Sequence, residues 1–288
     1  MGEKPVKLIE CPRDAMQGIH EFIDTDLKAS YINLLLKVGF DTIDFGSFVS
    51  PRAIPQLRDT AEVLAKLDLD NTSSKLLAIV ANLRGAEEAA SHQEISYLGF
   101  PFSISETFQQ RNTNSSIAQS LDTVKQLLEL CDKKSKTALI YLSMGFGNPY
   151  GDEWNAEIVE RWSDELTANG AKILALSDTT GVSTSEKIKA IVPPLMKRFE
   201  NRDVEIGLHL HSSPDMRMEK IAAAYESGCR RFDSALKGLG GCPMAADELT
   251  GNLATEELID YLNSKGENLN LNMEKWQEAL RSANRIFH

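Results

Sequence analysis

The feature that most constrains this chain is a rhythm. Short apolar segments alternate with longer amphipathic ones from end to end, and glycine closes several of the longer ones. Eight segments read as strands: residues 6–10, 42–46, 75–80, 97–103, 137–144, 172–178, 204–212 and 230–236. Between them lie stretches with apolar residues at three-and-four spacing, such as 25–38 closed by Gly39, 116–130, 155–168 closed by Gly170, and 216–226 closed by Gly228. Repetition of strand, helix, glycine and strand implies parallel strands joined by right-handed crossovers. With eight units the expectation is an α/β fold closed into a (β/α)8 TIM barrel. The rival, an open doubly wound sheet, lacks its G-x-G-x-x-G turn after the first strand.

A length of 288 residues suits one such barrel, typically about 250 residues, so residues 1–288 are expected to form a single domain. Segments 254–264 and 272–286 follow the last strand and read as helices, which makes 254–288 a C-terminal helical extension. The second of them is expected to pack on the barrel or on a second subunit, and a homodimer is the expected assembly. Pro193 and Pro194 should break or kink the helix over 186–199.

Charge narrows the partners. A net charge of −11 argues against nucleic acid and against an anionic membrane surface, since both need clustered positive charge. No apolar run approaches the about 18 residues that span a bilayer. The chain opens Met1-Gly2-Glu3-Lys4-Pro5 ahead of the first strand, so a cytoplasmic or already processed protein is expected. Cys11, Cys131, Cys229 and Cys242 form no C-x-x-C pair and read as free thiols.

In such a barrel, chemistry gathers at the C-terminal ends of the strands. His209 and His211, one residue apart in the seventh strand, project from the same face and can share one ion. Arg13, Asp14 and Gln17 follow the first strand, Asp44 lies on the second, and Asp178 ends the sixth. Beyond the eighth come the loop 238–243, which carries Cys242, and then Asn252 and Glu256. Asp14, His209, His211 and Asn252 would make a mixed oxygen and nitrogen site suited to Mg²⁺ or Mn²⁺. Zinc, which also accepts a His₂-carboxylate set, is placed second. Each residue has a plainer reading as well: Asp14 as a turn or N-cap residue with Arg13 as a surface ion-pair partner, Asn252 as the cap of the helix after it, and Asp178 as a turn or helix start. Cys242 stands between Gly241 and Pro243 in a loop too rich in glycine to pack a core, which suggests a mobile lid carrying a thiol.

Several stretches match a known pattern in order: Arg13-Asp14 with Gln17, Ser47-Phe48-Val49-Ser50-Pro51, Ser105-Glu106-Thr107-Phe108, Asp178-Thr179-Thr180-Gly181-Val182 and His209-Leu210-His211. Gly238-Leu239-Gly240-Gly241-Cys242-Pro243 and Gly251-Asn252-Leu253-Ala254-Thr255-Glu256 complete the set. Over nearly its whole length the chain resembles the 3-hydroxy-3-methylglutaryl-CoA lyase family, within the metal-dependent barrel lyases and synthases. The resemblance implies an acyl-CoA substrate cleaved to acetoacetate and acetyl-CoA. It implies Asp14, His209, His211 and Asn252 as metal ligands, Arg13 beside the substrate carbonyl, and Cys242 as acid/base on a closing loop. Asp178 and Glu256 fall on family positions that support the metal site and proton traffic, Asp44 aligns with a family glutamate and is a further catalytic candidate, and Arg111 and Asn112 match a basic position and an asparagine of the family.

The chain departs from the family at Ala15, usually glycine, at Asp44, usually glutamate, and at Leu139, usually arginine. It also carries Ser212-Ser213-Pro214-Asp215 where Asp-Thr-Tyr-Gly is usual, and lacks a residue between Glu10 and Pro12. Every ligand position is retained. These departures leave open a related branched 3-hydroxyacyl-CoA as substrate, a Claisen-type synthase or aldolase on the same barrel, and a catalytically silent barrel that binds acyl-CoA.

Overall fold

A computed structural model of the chain describes residues 5–241 and 250–287. Among them the order begins β1 (Lys7–Glu10), α1 (Pro12–Gln17), α2 (Thr25–Val38), β2 (Thr42–Ser47), α3 (Thr60–Leu64) and β3 (Lys75–Ile79). It continues with α4 (Leu83–Ser91), β4 (Ile95–Ser103), α5 (Glu106–Thr113), α6 (Ile117–Lys134), β5 (Thr137–Ser143) and α7 (Ala156–Ala168). The last third holds β6 (Ile173–Asp178), α8 (Ser185–Phe199), β7 (Glu205–Leu210), α9 (Arg217–Glu226), β8 (Arg231–Ser234), α10 (Thr255–Ser264) and α11 (Met273–Ile286). The eight strands close into a parallel barrel in sequence order, with β8 pairing β1. The expected (β/α)8 TIM barrel is therefore the fold.

Local signals set the boundaries. Asp24 caps α2 by accepting from the Asp26 and Leu27 amides, and Gly39 ends it in the left-handed conformation at φ 91°. Ser116 and Gln119 form a capping box at the start of α6. Strand periodicity then sorts the side chains. Leu208, Leu210 and Phe232 face the large core between barrel and helices, while Leu77, Leu139, Tyr141, Ile173 and Ala175 fill the barrel interior. His209 alternates with Leu208 and Leu210, so it points inward.

α8 corrects the expected break. It runs unbroken from Ser185 to Phe199 through Pro193 and Pro194. Ile188, Ile191, Val192, Leu195 and Phe199 are buried along one face, whereas both prolines and the residues four positions before them, Lys189 and Ala190, are exposed. The carbonyls that lose their helical partners thus lie on the solvent side, where water can serve them, and the buried face holds the helix together.

α11 packs on α2: the Asn272 amide donates to Val38 O at 2.8 Å, and Trp276 meets Phe40 edge-on with ring centroids 6.1 Å apart. Of the two packing partners expected for this helix, the barrel is the one it takes in this chain. Among the described residues no helix is long and apolar enough to cross a membrane.

Candidate metal centre

Three segments meet at the C-terminal mouth of the barrel. β7 brings His209 and, just past its end, His211; the short helix α1 brings Arg13, Asp14 and Gln17; and the strand-like run 250–254 brings Asn252. That run is laid down by backbone pairing, with Ser212 N donating to Gly251 O at 2.7 Å, Leu253 N to Leu210 O at 3.2 Å and Ala235 N to Leu253 O at 3.0 Å. Two glycines allow the close approach. A Cβ on Gly251 would stand 2.1 Å from Gly238 O, and one on Gly240, at φ 96°, would meet the Asp14 backbone oxygen and the Asn252 amide at 2.7 Å.

The ligand set converges. One ligand atom from each of Asp14, His209 and His211 lies within 4.8 Å of the others, and all three residues are buried. His211 Nδ1 donates to Thr179 O at 3.0 Å and His209 Nδ1 to Asp233 Oδ2 at 3.1 Å. In their neutral forms both rings therefore turn an unprotonated Nε2 toward the other, 3.2 Å away. Nitrogens facing each other at that distance can hold either a proton or a metal cation between them. Asp14 Oδ2 is 3.9 Å from His211 Nε2, and Asn252 Oδ1 is buried without a hydrogen-bond partner. The Asn252 amide nitrogen donates to Asp14 Oδ2, so the carboxylate and the two imidazoles fit a divalent ion, with Asn252, whose oxygen has no hydrogen-bond partner among the described residues, the candidate for a fourth position.

The alternatives for these residues do not hold. Asp14 lies inside α1, whose N-cap is Cys11; Asn252 caps nothing, since α10 begins after Ala254 with no side-chain cap; and Arg13 is 7% exposed rather than a surface partner.

Electrostatics knit the cluster. Arg13 Nε and Nη2 both donate to Asp44, Nη1 donates to Asp14 Oδ1 at 2.9 Å and to Gln17 Oε1 at 3.0 Å, and Gln17 Nε2 donates to Asp14 Oδ1 at 2.6 Å. Burial opposes the charge on Arg13, but the Asp44 and Asp14 carboxylates outweigh it and hold the guanidinium cationic. Burial likewise works to raise Asp14, and Arg13 with the two histidines overcomes it, so its carboxyl stays well below the usual range. Asp44, fully buried, is pushed up to about 6 by burial despite Arg13. For His209 the pull of burial is overcome by the hydrogen bond and charge of Asp233, which raise it. His211 is pushed down to about 4 by burial and by His209.

Arg13, Asp14, Gln17, His209 and His211 line a cavity of about 490 Å³ that also takes in Arg111 and Asn112 from α5. Asp178 and Glu256 do not line it. Both Asp178 oxygens are engaged, by the Val182 and Ser183 amides, the Ser183 hydroxyl and Lys220 Nζ at 2.9 Å, which gives Asp178 the turn role. Glu256 accepts from the Lys237 amide and so fixes the entry to the glycine loop. That loop is anchored as far as Gly241, whose amide donates to Asp14 Oδ2 at 3.1 Å and whose carbonyl accepts from Gln17. Cys242, the next residue, lies outside the described residues.

Two residues of the site went unnoticed in the sequence. Asp233 orients His209, and Tyr141, edge-on to His209 at 5.4 Å, keeps a buried hydroxyl without a partner in the cavity. Burial holds that phenol well above its ordinary value, so it is a neutral donor. The inward positions 139, 141 and 143 of β5 were the available signal for Tyr141.

Comparison with known proteins gives the family. A family model described as HMGL-like matches residues 6–282. The cytoplasmic 3-hydroxy-3-methylglutaryl-CoA lyase of Rattus norvegicus is 33% identical over 277 residues, covering 95% of this chain and 79% of that protein. The mitochondrial hydroxymethylglutaryl-CoA lyase of Mus musculus is 31% identical over 279 residues, covering 96% and 84%. A solved HMG-CoA lyase from Acinetobacter baumannii, in complex with coenzyme A and 3-methylmalate, superposes with a TM-score of 0.90 at 30% identity, covering 98% of this chain and 91% of that one.

Proposed function

The chain belongs to the HMGL-like family and is a lyase, and from that premise we propose that it cleaves 3-hydroxy-3-methylglutaryl-CoA to acetoacetate and acetyl-CoA with a divalent ion, Mg²⁺ or Mn²⁺. The observation that carries the metal requirement is the pair of imidazole nitrogens facing each other at 3.2 Å beside Asp14 on the cavity wall.

Cleavage moves electrons and one proton. The C3 hydroxyl gives up its proton and becomes a ketone, the C2–C3 bond breaks, and its electron pair goes to the thioester enolate, whose carbon takes a proton. Asp14, His209, His211 and Asn252 would hold the ion, which would supply Lewis acidity to ease ionisation of the hydroxyl. Arg13, kept cationic by Asp44 and Asp14, stabilises charge at the enolate oxygen, a contribution typically worth about 10²–10³ in rate. Asp44 acts by holding Arg13 in place. The Tyr141 hydroxyl is a free donor for the acyl group, and Arg111 and Asn112 at the cavity wall contact the CoA portion. Cys242, chained to the anchored Gly241, protonates the enolate carbon. Asp178 and Glu256 position the loops around the site. A homodimer in the cytoplasm completes the proposal, tested by sedimentation equilibrium and cell fractionation.

The test is acetyl-CoA release from 3-hydroxy-3-methylglutaryl-CoA by chelated protein, with and without added Mg²⁺ or Mn²⁺. Release that depends on the ion is expected. No release from protein that binds the ion overturns this substrate and points to a different branched 3-hydroxyacyl-CoA.

A further inference from the structure

His209 has a second face. Its Nδ1 meets Asp233 Oδ2 at 3.1 Å, and one ligand atom from each of Cys11, His209 and Asp233 lies within 4.8 Å of the others. All three residues are buried. Among the described residues the Cys11 thiol makes a single long contact, 3.7 Å to Ile9 O, and Asp233 Oδ1 has no hydrogen-bond partner although the residue is 1% exposed.

We propose that Cys11, His209 and Asp233 form a second metal position, selective for thiophilic divalent ions such as Zn²⁺, Co²⁺ and Cd²⁺, which shares His209 with the Asp14–His209–His211–Asn252 position and excludes its ion. A thiolate, an imidazole nitrogen and a carboxylate oxygen make a soft three-ligand set with room for water, whereas Mg²⁺ and Mn²⁺ prefer the harder set across the ring. The unpartnered Asp233 Oδ1 in the same buried cluster as the Cys11 thiol favours a cation there. Binding balances simply. The Cys11 proton leaves to solvent, and the His209 proton moves from Nδ1 to Nε2, freeing Nδ1 for the metal. Nε2–H then faces the His211 Nε2 lone pair at 3.2 Å and donates to it. In this tautomer His209 cannot hold an ion on its other side, so the soft ion is an inhibitor by competition.

Cobalt reads the site directly. Apoprotein titrated with Co²⁺ should develop a near-ultraviolet thiolate-to-cobalt charge-transfer band in the wild type and in Cys242→Ser. The band should be lost in Cys11→Ser and weakened by saturating Mn²⁺. A band that persists in Cys11→Ser, disappears in Cys242→Ser or is indifferent to Mn²⁺ overturns the assignment, as does Co²⁺ binding with no band. If Cys11→Ser fails to fold, zinc X-ray absorption on Cys242→Ser decides: one sulfur at about 2.3 Å is expected, and a shell of nitrogen and oxygen alone overturns the proposal. These readouts involve no turnover, so they stand or fall apart from the lyase reading.

Discussion

His209 and His211 owe their roles to the hydrogen bonds on their far sides. Thr179 O and Asp233 Oδ2 accept from the two Nδ1 atoms, and in the neutral rings this leaves both Nε2 atoms free to face each other. Asp233→Asn should keep the ring near its place but weaken this orientation, lowering Mn²⁺ affinity by about 10–100-fold in a calorimetric titration. An unchanged affinity would mean that Asp233 does not orient the ligand. His211→Ala should lose metal and acetyl-CoA release together while circular dichroism stays that of the wild type; activity with a normal metal requirement would remove His211 from the ligand set. Cys242→Ala should bind metal normally and turn over about 10²–10⁴-fold more slowly, and an unaltered rate would place the acid elsewhere. The histidine pair was legible in the sequence because strand alternation alone puts both rings on one face. Asp233 was not, because its partnership depends on the register that sets His209 opposite it on β8, and no local spacing reports that register.

At the scale of elements, the eight strands and the glycine that closes α2 could be read directly, since apolar periodicity and terminal glycine are local signals. α1 escaped because six residues are too few to show a period, although Pro12 at its first turn is a normal start. α8 misled in the other direction, since proline chemistry is local but the packing that overrides it is not. Its two prolines sit on the exposed face of a helix whose buried side supplies the stability. Pro194→Ala restores an amide to the Ala190 carbonyl, and should therefore raise the urea midpoint by an amount equivalent to about 1–3 kcal/mol. A lower midpoint would show that the helix depends on the stiffness proline gives the unfolded chain.

Across the whole molecule, the barrel closes where β8 meets β1, and one carboxyl ties that seam to the returning chain. Glu10 Oε1 accepts from the Leu236 amide at 2.9 Å and Oε2 from the Thr255 hydroxyl at 2.6 Å, while Thr255 also meets Ser234 at 2.9 Å. Glu10 thereby joins the first strand, the entry to the glycine loop and the start of α10, the segments that frame Asp14 and Asn252. Burial pushes its carboxyl up to about 8 from 4.5, against the opposing hydrogen bonds from Thr255 and Leu236. Between those values the folded chain holds a proton that the unfolded chain releases, so this contribution to stability is full below about 4.5 and is lost as pH rises through about 8. Glu10→Gln keeps one acceptor and removes the titration. Measured by urea unfolding from about pH 5 to about pH 8.5, the variant should gain on the wild type with rising pH by something on the order of a few kcal/mol. Asp44 and the histidines titrate in both proteins and cancel in the difference. A difference that stays constant with pH would mean that Glu10 is ionised in the fold, and that the seam is held by a charged carboxylate accepting two hydrogen bonds.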